Sequence, residues 1–392
     1  MKRRRAATIG TALLVGLGML SSPAVAVDAP APGMSAEATE ARGIDERAAE
    51  LVERMSTAEQ AASVVMGHIP TTDPAALAAY MTQGFGGFIL MGANVPESGD
   101  ATPVTHALVA DSSPPPLIAI DQEGGIVSRL GADTYPASTT LKAQPVAATS
   151  AAFTARAALV ARAGVSVNFG TVADVTADPS SFIFGRALGA DPLDAAERVA
   201  AATTAQQPVV ASTLKHFPGH GAAPGDSHHA IPTTAKTLDE WRATDALPFA
   251  AGIDAGASLL MFGHLAYTAV DQAPASLSPA WHDIARDELG FEGVIVTDDL
   301  GMLSSSGIDA YADPVTNAVA ALAAGSDLLL MIAGSTPETA GQLAAGITAA
   351  VESGTVPEER LVDAATRVMT LRLQQSAAPA DWQLCADCEP VD

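Results

Sequence analysis

Basic residues are scarce in this chain. Lysine and arginine number 20 against 44 aspartates and glutamates, for a formal net charge of −24. Nucleic-acid binding needs a concentrated basic footprint, so that class is excluded and no nucleic-acid partner is expected. Cysteine is scarcer still, with only Cys385 and Cys388. A four-ligand structural zinc site would therefore have to recruit distant histidines. Long apolar runs are missing too. The N-terminal run from Ile9 to Leu20 is too short for a stable membrane span, so no spanning segment is expected after processing. No internal repeat and no second domain of any size are visible.

The N-terminus reads as an export signal over residues 1–26. Lys2 to Arg5 supply its basic region, Ile9 to Leu20 its apolar one, and Ala24-Val25-Ala26 a small-residue cleavage site. Its removal deletes four basic residues and no acidic ones, taking −24 to −28. The protein is thus expected to be secreted or to work in the cell envelope. No cysteine lies near the cleavage site to carry a lipid anchor. Residues 27–43 are small, polar and Pro-containing, and read as a disordered linker. Residues 375–392 form an Ala/Pro-rich tail holding Cys385 and Cys388. In a reducing cytosol such a Cys-x-x-Cys pair would suggest metal or redox chemistry, whereas in an exported chain it reads as a local disulfide.

Against this background Val209 to Pro232 (VVASTLKHFPGHGAAPGDSHHAIP) stands out. It holds Lys215, His216, His220, Asp226, His228 and His229, four of the chain's eight histidines. A β-rich run from Val209 to Leu214 delivers the Lys215-His216 pair into a Gly/Ala/Pro loop. Buried histidine and lysine must each find a partner, so stability alone rarely asks for such a cluster. A strand ending in a titratable, Gly-rich loop is how α/β enzymes present chemistry.

Residues 44–374 read as one catalytic domain. Helix is expected over 44–54, and Ser56 to Glu59 has the capping-box spacing that opens the next helix. Strands are expected at Ser63 to Met66, Gly87 to Met91, Leu117 to Ile120, Ser166 to Phe169, Val209 to Leu214, Ser258 to Phe262, Val294 to Thr297 and Asp327 to Ile332. Helical stretches separate them, among them Asp239 to Ala255 behind a second capping box at Thr237 to Glu240. Strands that are near-continuous apolar runs imply burial on both faces, hence a parallel sheet under helices. Eight such units point to a TIM-type (β/α)8 barrel, with a doubly wound open sheet as the alternative. Polar residues then gather at the C-terminal strand ends, where barrel sites form: Asp121 to Gly125 with Arg129, Asp174 with Gly185-Arg186, Lys215-His216, His264, and Asp298-Asp299. One aspartate could simply cap a helix, but five strands converging on one rim suit a ligand with many hydroxyls.

The motifs Lys215 to Gly221 (KHFPGHG), Asp226-Ser227-His228, Ile120 to Arg129 (IDQEGGIVSR), Gly185-Arg186, Met261 to His264 (MFGH) and Gly293 to Met302 (GVIVTDDLGM) have a known counterpart. From about Leu51 to Arg372 the chain resembles the family 3 glycoside hydrolases, and within them the single-domain bacterial β-N-acetylglucosaminidases (β-N-acetylhexosaminidases). The resemblance implies Asp298 as catalytic nucleophile and His228 as general acid/base with Asp226 as its partner. It also implies Asp121, Arg129, Arg186, Lys215 and His216 as the residues that hold the terminal sugar. Ile126 stands where the family often has arginine, and Leu188 near a usual phenylalanine. Neither touches the acid/base or nucleophile positions.

A retaining glycosidase needs a nucleophile and a proton donor flanking the scissile bond. Imidazole can give and take a proton near neutrality, so a His228-Asp226 dyad takes the place of the usual second carboxylate. Asp299, next along the strand from Asp298, is expected to point elsewhere. Many two-domain relatives bring the acid from a domain after the barrel. Here the loop after strand 5 is the expected supplier, which favours an N-acetylhexosaminidase over a β-glucosidase. The expected partner is a β-N-acetylglucosaminide, acted on by a monomer without cofactor or metal. Three other readings stay open at this point: a phosphorylase on the same barrel, a metal-dependent hydrolase using His216, His220, His228 and His229, and a non-catalytic wall-binding protein.

Overall fold

The structure is a computed structural model that describes residues 36–110 and 112–376. The expected export signal, the first part of the linker and the tail with Cys385 and Cys388 lie outside the described residues. The chain divides into one unit up to Arg42 and another from Gly43 onward, and every strand belongs to the second.

All eight expected strands are present: β1 (Val65–Gly67), β2 (Gly87–Leu90), β3 (Leu117–Ile120), β4 (Val167–Val172), β5 (Ala211–Phe217), β6 (Leu259–Phe262), β7 (Val294–Thr297) and β8 (Leu329–Leu330). They form one parallel sheet in the order β8-β1-β2-β3-β4-β5-β6-β7. A parallel bridge between Val296 and Leu328 closes the last edge on the first. There the Thr297 amide donates to the Leu328 carbonyl and the Leu328 amide to that of Ile295, both at 3.0 Å. The architecture is a (β/α)8 barrel, whose closure leaves no open strand edge.

Strand alternation sorts the side chains into two apolar layers. Leu117 and Ala119 of β3, Ala211 of β5, Leu259 and Met261 of β6, and Val294 and Val296 of β7 fill the interior. Ile118, Ile120, Leu214, Leu260 and Ile295 pack outward under the helices. Each fully buried Leu, Ile or Val contributes about 1.5–3 kcal/mol. Both faces are covered, which is why the strands lack polar alternation in sequence. The same alternation carries past the strand ends: the next inward positions are Asp121 after β3, Lys215 within β5 and Asp298 after β7. The last helix, Glu358–Ser376, seals the opposite end by adding Val368 and Leu371 to the interior cluster.

The boundaries differ from expectation in several places, β8 shrinking from the expected Asp327 to Ile332 to two residues. The first helix runs Ala36–Glu53, beginning inside the stretch read as linker. β5 starts later than expected and continues through Lys215 and His216 to Phe217. The single helix expected over Asp239 to Ala255 is two, Leu238–Ala243 and Ala246–Asp254. Pro248 is the reason, because its ring collides with the carbonyl four residues back and lacks an amide to bond it. Both expected capping boxes, at Ser56/Glu59 and Thr237/Glu240, are formed.

Candidate active site

The loop after β3 folds back on itself around Gln122. The Gln122 Oε1 accepts the amides of Arg129 (2.9 Å) and Leu130 (3.0 Å), while Nε2 donates to Ser128 Oγ and Asp133. The tight turn needs positive φ at Gly124 (87°) and Gly125 (70°). A Cβ at Gly124 would also lie 2.2 Å from the guanidinium of buried Arg156. This fold returns Arg129 to the strand end it left, placing its guanidinium 3.2 Å from Asp121 Oδ2.

Lys215 stands at the centre of the charge network. Its Nζ lies 2.9 Å from Asp121 Oδ1 and 2.7 Å from Glu123 Oε1, and the side chain is only 2% exposed. Glu123 in turn binds Arg186 through two parallel bonds of 3.0 and 2.7 Å. Burial disfavours every one of these charges, and mutual attraction outweighs it. The Asp121 carboxyl is pushed up by burial, yet Lys215, Arg129 and Arg186 bring it down to about 2. Burial lowers and the two carboxylates raise the Lys215 ammonium, with a net upward shift. The result is a rigid, fully ionised floor.

His216 belongs to a second, neutral network. Alternation alone would turn it away from Lys215, but the pairing of β5 with β6 shifts register between Leu214 and Phe217. Both side chains line one cavity. Buried Asp174 accepts from the His216 amide, the His220 amide (2.6 Å) and His216 Nδ1 (2.7 Å). Arg186 reaches His216 Nε2 at 3.3 Å. A guanidinium only donates, so Nε2 accepts and Nδ1 carries the proton. Burial, reinforced by Arg186, holds this imidazole well below its usual range, in the neutral form.

Asp298 and Asp299 diverge as neighbours on a strand do. Asp299 is buried, and its carboxylate accepts from the amides of Gly301 (2.9 Å), Ile332 (2.7 Å) and Ala333 (2.8 Å). It caps the following helix and ties down the loop after β8. Asp298 instead lines the cavity, held by the Asp299 amide at 2.8 Å. Burial pushes its carboxyl up, but His216, His264, that amide and Lys215 hold it below the ordinary carboxylate range. His264 braces the turn from behind, through Ser276 Oγ (2.7 Å) and the Asp299 carbonyl (2.8 Å).

The loop after β5 carries the His228-Asp226 pair. Its near end is fixed by the Tyr267 hydroxyl on the Gly219 carbonyl (2.8 Å), its far end by the Ala266 amide on the Pro232 carbonyl (2.9 Å). Asp226 Oδ1 accepts from the His228 amide at 3.0 Å and lies 2.5 Å from His228 Nδ1. Burial raises the Asp226 carboxyl, but its bonds to His228 bring it below the ordinary range, so it is an ionised acceptor. Nδ1 then holds a proton and Nε2 is left for a ligand. The pair is open to solvent, with His228 57% and Asp226 41% exposed.

One cavity of about 120 Å³ brings these groups together. Asp121, Arg129, Arg186, Lys215, His216, His228 and Asp298 all line it. Asp226, the remaining residue singled out in the sequence, meets it through His228. No role is expected from the sequence for Glu123 or Phe182, and for His220 only that of a ligand in the metal-dependent alternative. Glu123 was visible inside the IDQEGG motif. Phe182, which lines the cavity and packs edge-on against the buried His220 ring at 4.7 Å, carried no local signal. Among the described residues no three His, Cys, Asp or Glu side chains are gathered as a metal site.

This geometry has relatives. Residues 45–371 match the glycosyl hydrolase family 3 N terminal domain. A β-hexosaminidase of Methylococcus capsulatus is 35% identical over 313 residues, covering 77% of this chain and 90% of that protein. Among solved structures, a glycoside hydrolase family 3 β-N-acetylglucosaminidase from Paenibacillus sp. str. FPU-7 superposes with a TM-score of 0.78 at 29% identity. That match covers 86% of this chain and 66% of the Paenibacillus one, so the chain spans about two thirds of that protein. The β-N-acetylhexosaminidase from Beutenbergia cavernae DSM 12333 gives a TM-score of 0.72 at 29% identity, over 81% of this chain and 98% of that one. On the match across its barrel, the chain belongs to glycosyl hydrolase family 3.

Proposed function

We propose that the protein is an exported, monomeric, exo-acting β-N-acetylhexosaminidase. It releases terminal β-linked N-acetylglucosamine from cell-wall fragments or chito-oligosaccharides with retention of configuration. The observation that carries this reading is the joint presence of Asp298 and the His228-Asp226 pair on one small cavity walled by ionised side chains. A cavity as small as about 120 Å³ leaves no room for a threaded chain, which favours exo action. The Methylococcus and Paenibacillus relatives support the N-acetylglucosaminide specificity, and Lys2 to Ala26 supply the case for export.

The chemistry follows from the two environments. The Asp298 carboxylate attacks the anomeric carbon and forms a glycosyl ester while the glycosidic C–O bond breaks. His228 Nε2 gives its proton to the departing oxygen. In the second half the same imidazole, now neutral, takes a proton from water, which attacks the anomeric carbon and frees Asp298. Asp226 holds Nδ1–H throughout, so the ring keeps its orientation. Asp121, Arg129, Arg186, Lys215 and His216 offer fixed donors and acceptors to the sugar hydroxyls, a preorganised surface that needs no rearrangement in the transition state.

Aryl β-glycosides differing only at position 2 test the reading. The N-acetylglucosaminide should be cleaved much faster than the glucoside, with no dependence on added phosphate. Equal rates on both sugars, or product formed only with phosphate present, would contradict it.

A further inference from the structure

A second cleft opens beside the catalytic loop. Its volume is about 440 Å³, and it runs between the segment from Thr176 to Phe182 and the backbone of Gly221 to Gly225. Two features join it to the catalytic cavity. Phe182 lines both. Asp226 lines the cleft, while the next two residues, Ser227 and His228, line the cavity. A proton donor must stand at the oxygen between the sugar being cut off and the group that leaves. The cleft reached past Phe182, beside the donor's loop, is therefore where the leaving group extends.

Resting on the proposed β-N-acetylhexosaminidase activity, we propose that this cleft is the leaving-group subsite and that it selects a neutral sugar over one bearing a carboxylate. The half-buried Phe182 offers an aromatic edge between the two sugar positions, and Thr176 and Ser180 offer hydroxyls. The only ionised side chains among the described residues lining the cleft are Asp178 and Asp226, both acidic, and both carboxyls are held below their ordinary range. For exposed Asp178 the Ser180 hydroxyl (2.7 Å) and amide (2.9 Å) are the cause. Those residues include no lysine or arginine to meet an anion. Nearby Arg186 is engaged with Glu123 behind Phe182. The floor of the cavity adds no spare cation: Asp121, Glu123 and Asp298 face Lys215, Arg129 and Arg186, three carboxylates against three cations. A carboxylate on the leaving group would enter a field of its own sign. The substrate class that fits is the neutral N-acetylglucosamine oligomer, not a muramic-acid-type sugar with its lactyl carboxylate.

Two β-1,4-linked disaccharides test this with the full chain near neutral pH. Both carry a terminal N-acetylglucosamine. In one the leaving sugar is a second N-acetylglucosamine, and in the other it bears a 3-O-lactyl carboxylate. At low ionic strength kcat/KM should favour the neutral substrate by about 10-fold, and about 0.5 M salt should shrink that ratio severalfold by screening. Asp178→Asn should reduce the ratio, and Asp178→Lys should bring it near or below one. Because the donor sugar is shared, the ratio cancels any general damage to the enzyme. A ratio of one or less in the native chain, or one that neither variant moves, would overturn the subsite assignment. Failure to cleave the aryl N-acetylglucosaminide would instead overturn the activity reading, and this inference with it.

Discussion

At the scale of single residues, each role can be separated by the way its loss is felt. Asp298→Ala removes the attacking oxygen, and no neighbouring carboxylate is free to replace it, since Asp299 is committed to three amides. Turnover should fall by several orders of magnitude while circular dichroism stays unchanged, and a variant keeping more than about a tenth of the rate would move the nucleophile elsewhere. His228→Ala should behave differently. A nitrophenol departs with little proton assistance, so glycosylation should suffer less with it than with an alkyl or sugar leaving group, while deglycosylation slows for every substrate. Pre-steady-state kinetics separates the steps, and equal loss on all leaving groups without a burst would reduce His228 to a loop residue. The acid limb of kcat/KM has a set sign. Asp298 must be ionised to attack, and its carboxyl sits below the ordinary range, so activity should fall only as the pH drops through that lowered value. An acid limb near pH 6, set by a group other than histidine, would contradict it. Much of this was legible in the sequence because the residues concerned sit at strand ends or in one loop. The parts played by Glu123 and Phe182 were not, since they depend on a partner far along the chain: Arg186 is 63 residues from Glu123.

At the scale of elements, the strands explain which residues meet. Inward parity along β3, β5 and β7 places Asp121, Lys215 and Asp298 on the inner layer, and such parity can be counted from sequence once strands are assigned. His216 breaks the rule through the register shift near the end of β5, a feature that depends on how β6 pairs and leaves no mark in the local residues. For the same reason β5 runs past its expected end, since Lys215-His216 looks like the start of a loop until its buried partners are known. The helix expected over Asp239 to Ala255 divides in two because Pro248 interrupts it. The Lys215-Glu123-Arg186 network joins β5 to the loops after β3 and β4. Glu123→Gln would leave two buried cations short of a counter-charge, and should cost about 3–5 kcal/mol in denaturant unfolding. It should also raise KM, because both cations face the cavity. A stability change below about 1 kcal/mol would mean that solvent reaches the network.

At the scale of the whole molecule, the barrel separates stability from chemistry. The sealed end, where Val368 and Leu371 enter the interior, lies away from the strand ends that carry the site. Leu371→Ala should cost about 2–5 kcal/mol of stability and leave kcat/KM near native, whereas a matching loss of activity would show that the two ends are coupled. Closure of the ring through Val296 and Leu328 fixes the spacing of all eight strand ends, so the donors around the sugar are set before substrate arrives. The eight-unit pattern was readable in the chain, but the closure was not, since a two-residue β8 and a single bridge carry it. The central claim is that Asp298 forms a covalent bond to the sugar. Mass spectrometry of the protein incubated with a slowly turned-over fluorinated N-acetylglucosaminyl donor tests it directly. The account predicts one added sugar, carried by the peptide containing Asp298 and absent in Asp298→Ala. Turnover of the donor with no adduct, or an adduct that persists in Asp298→Ala, would contradict it.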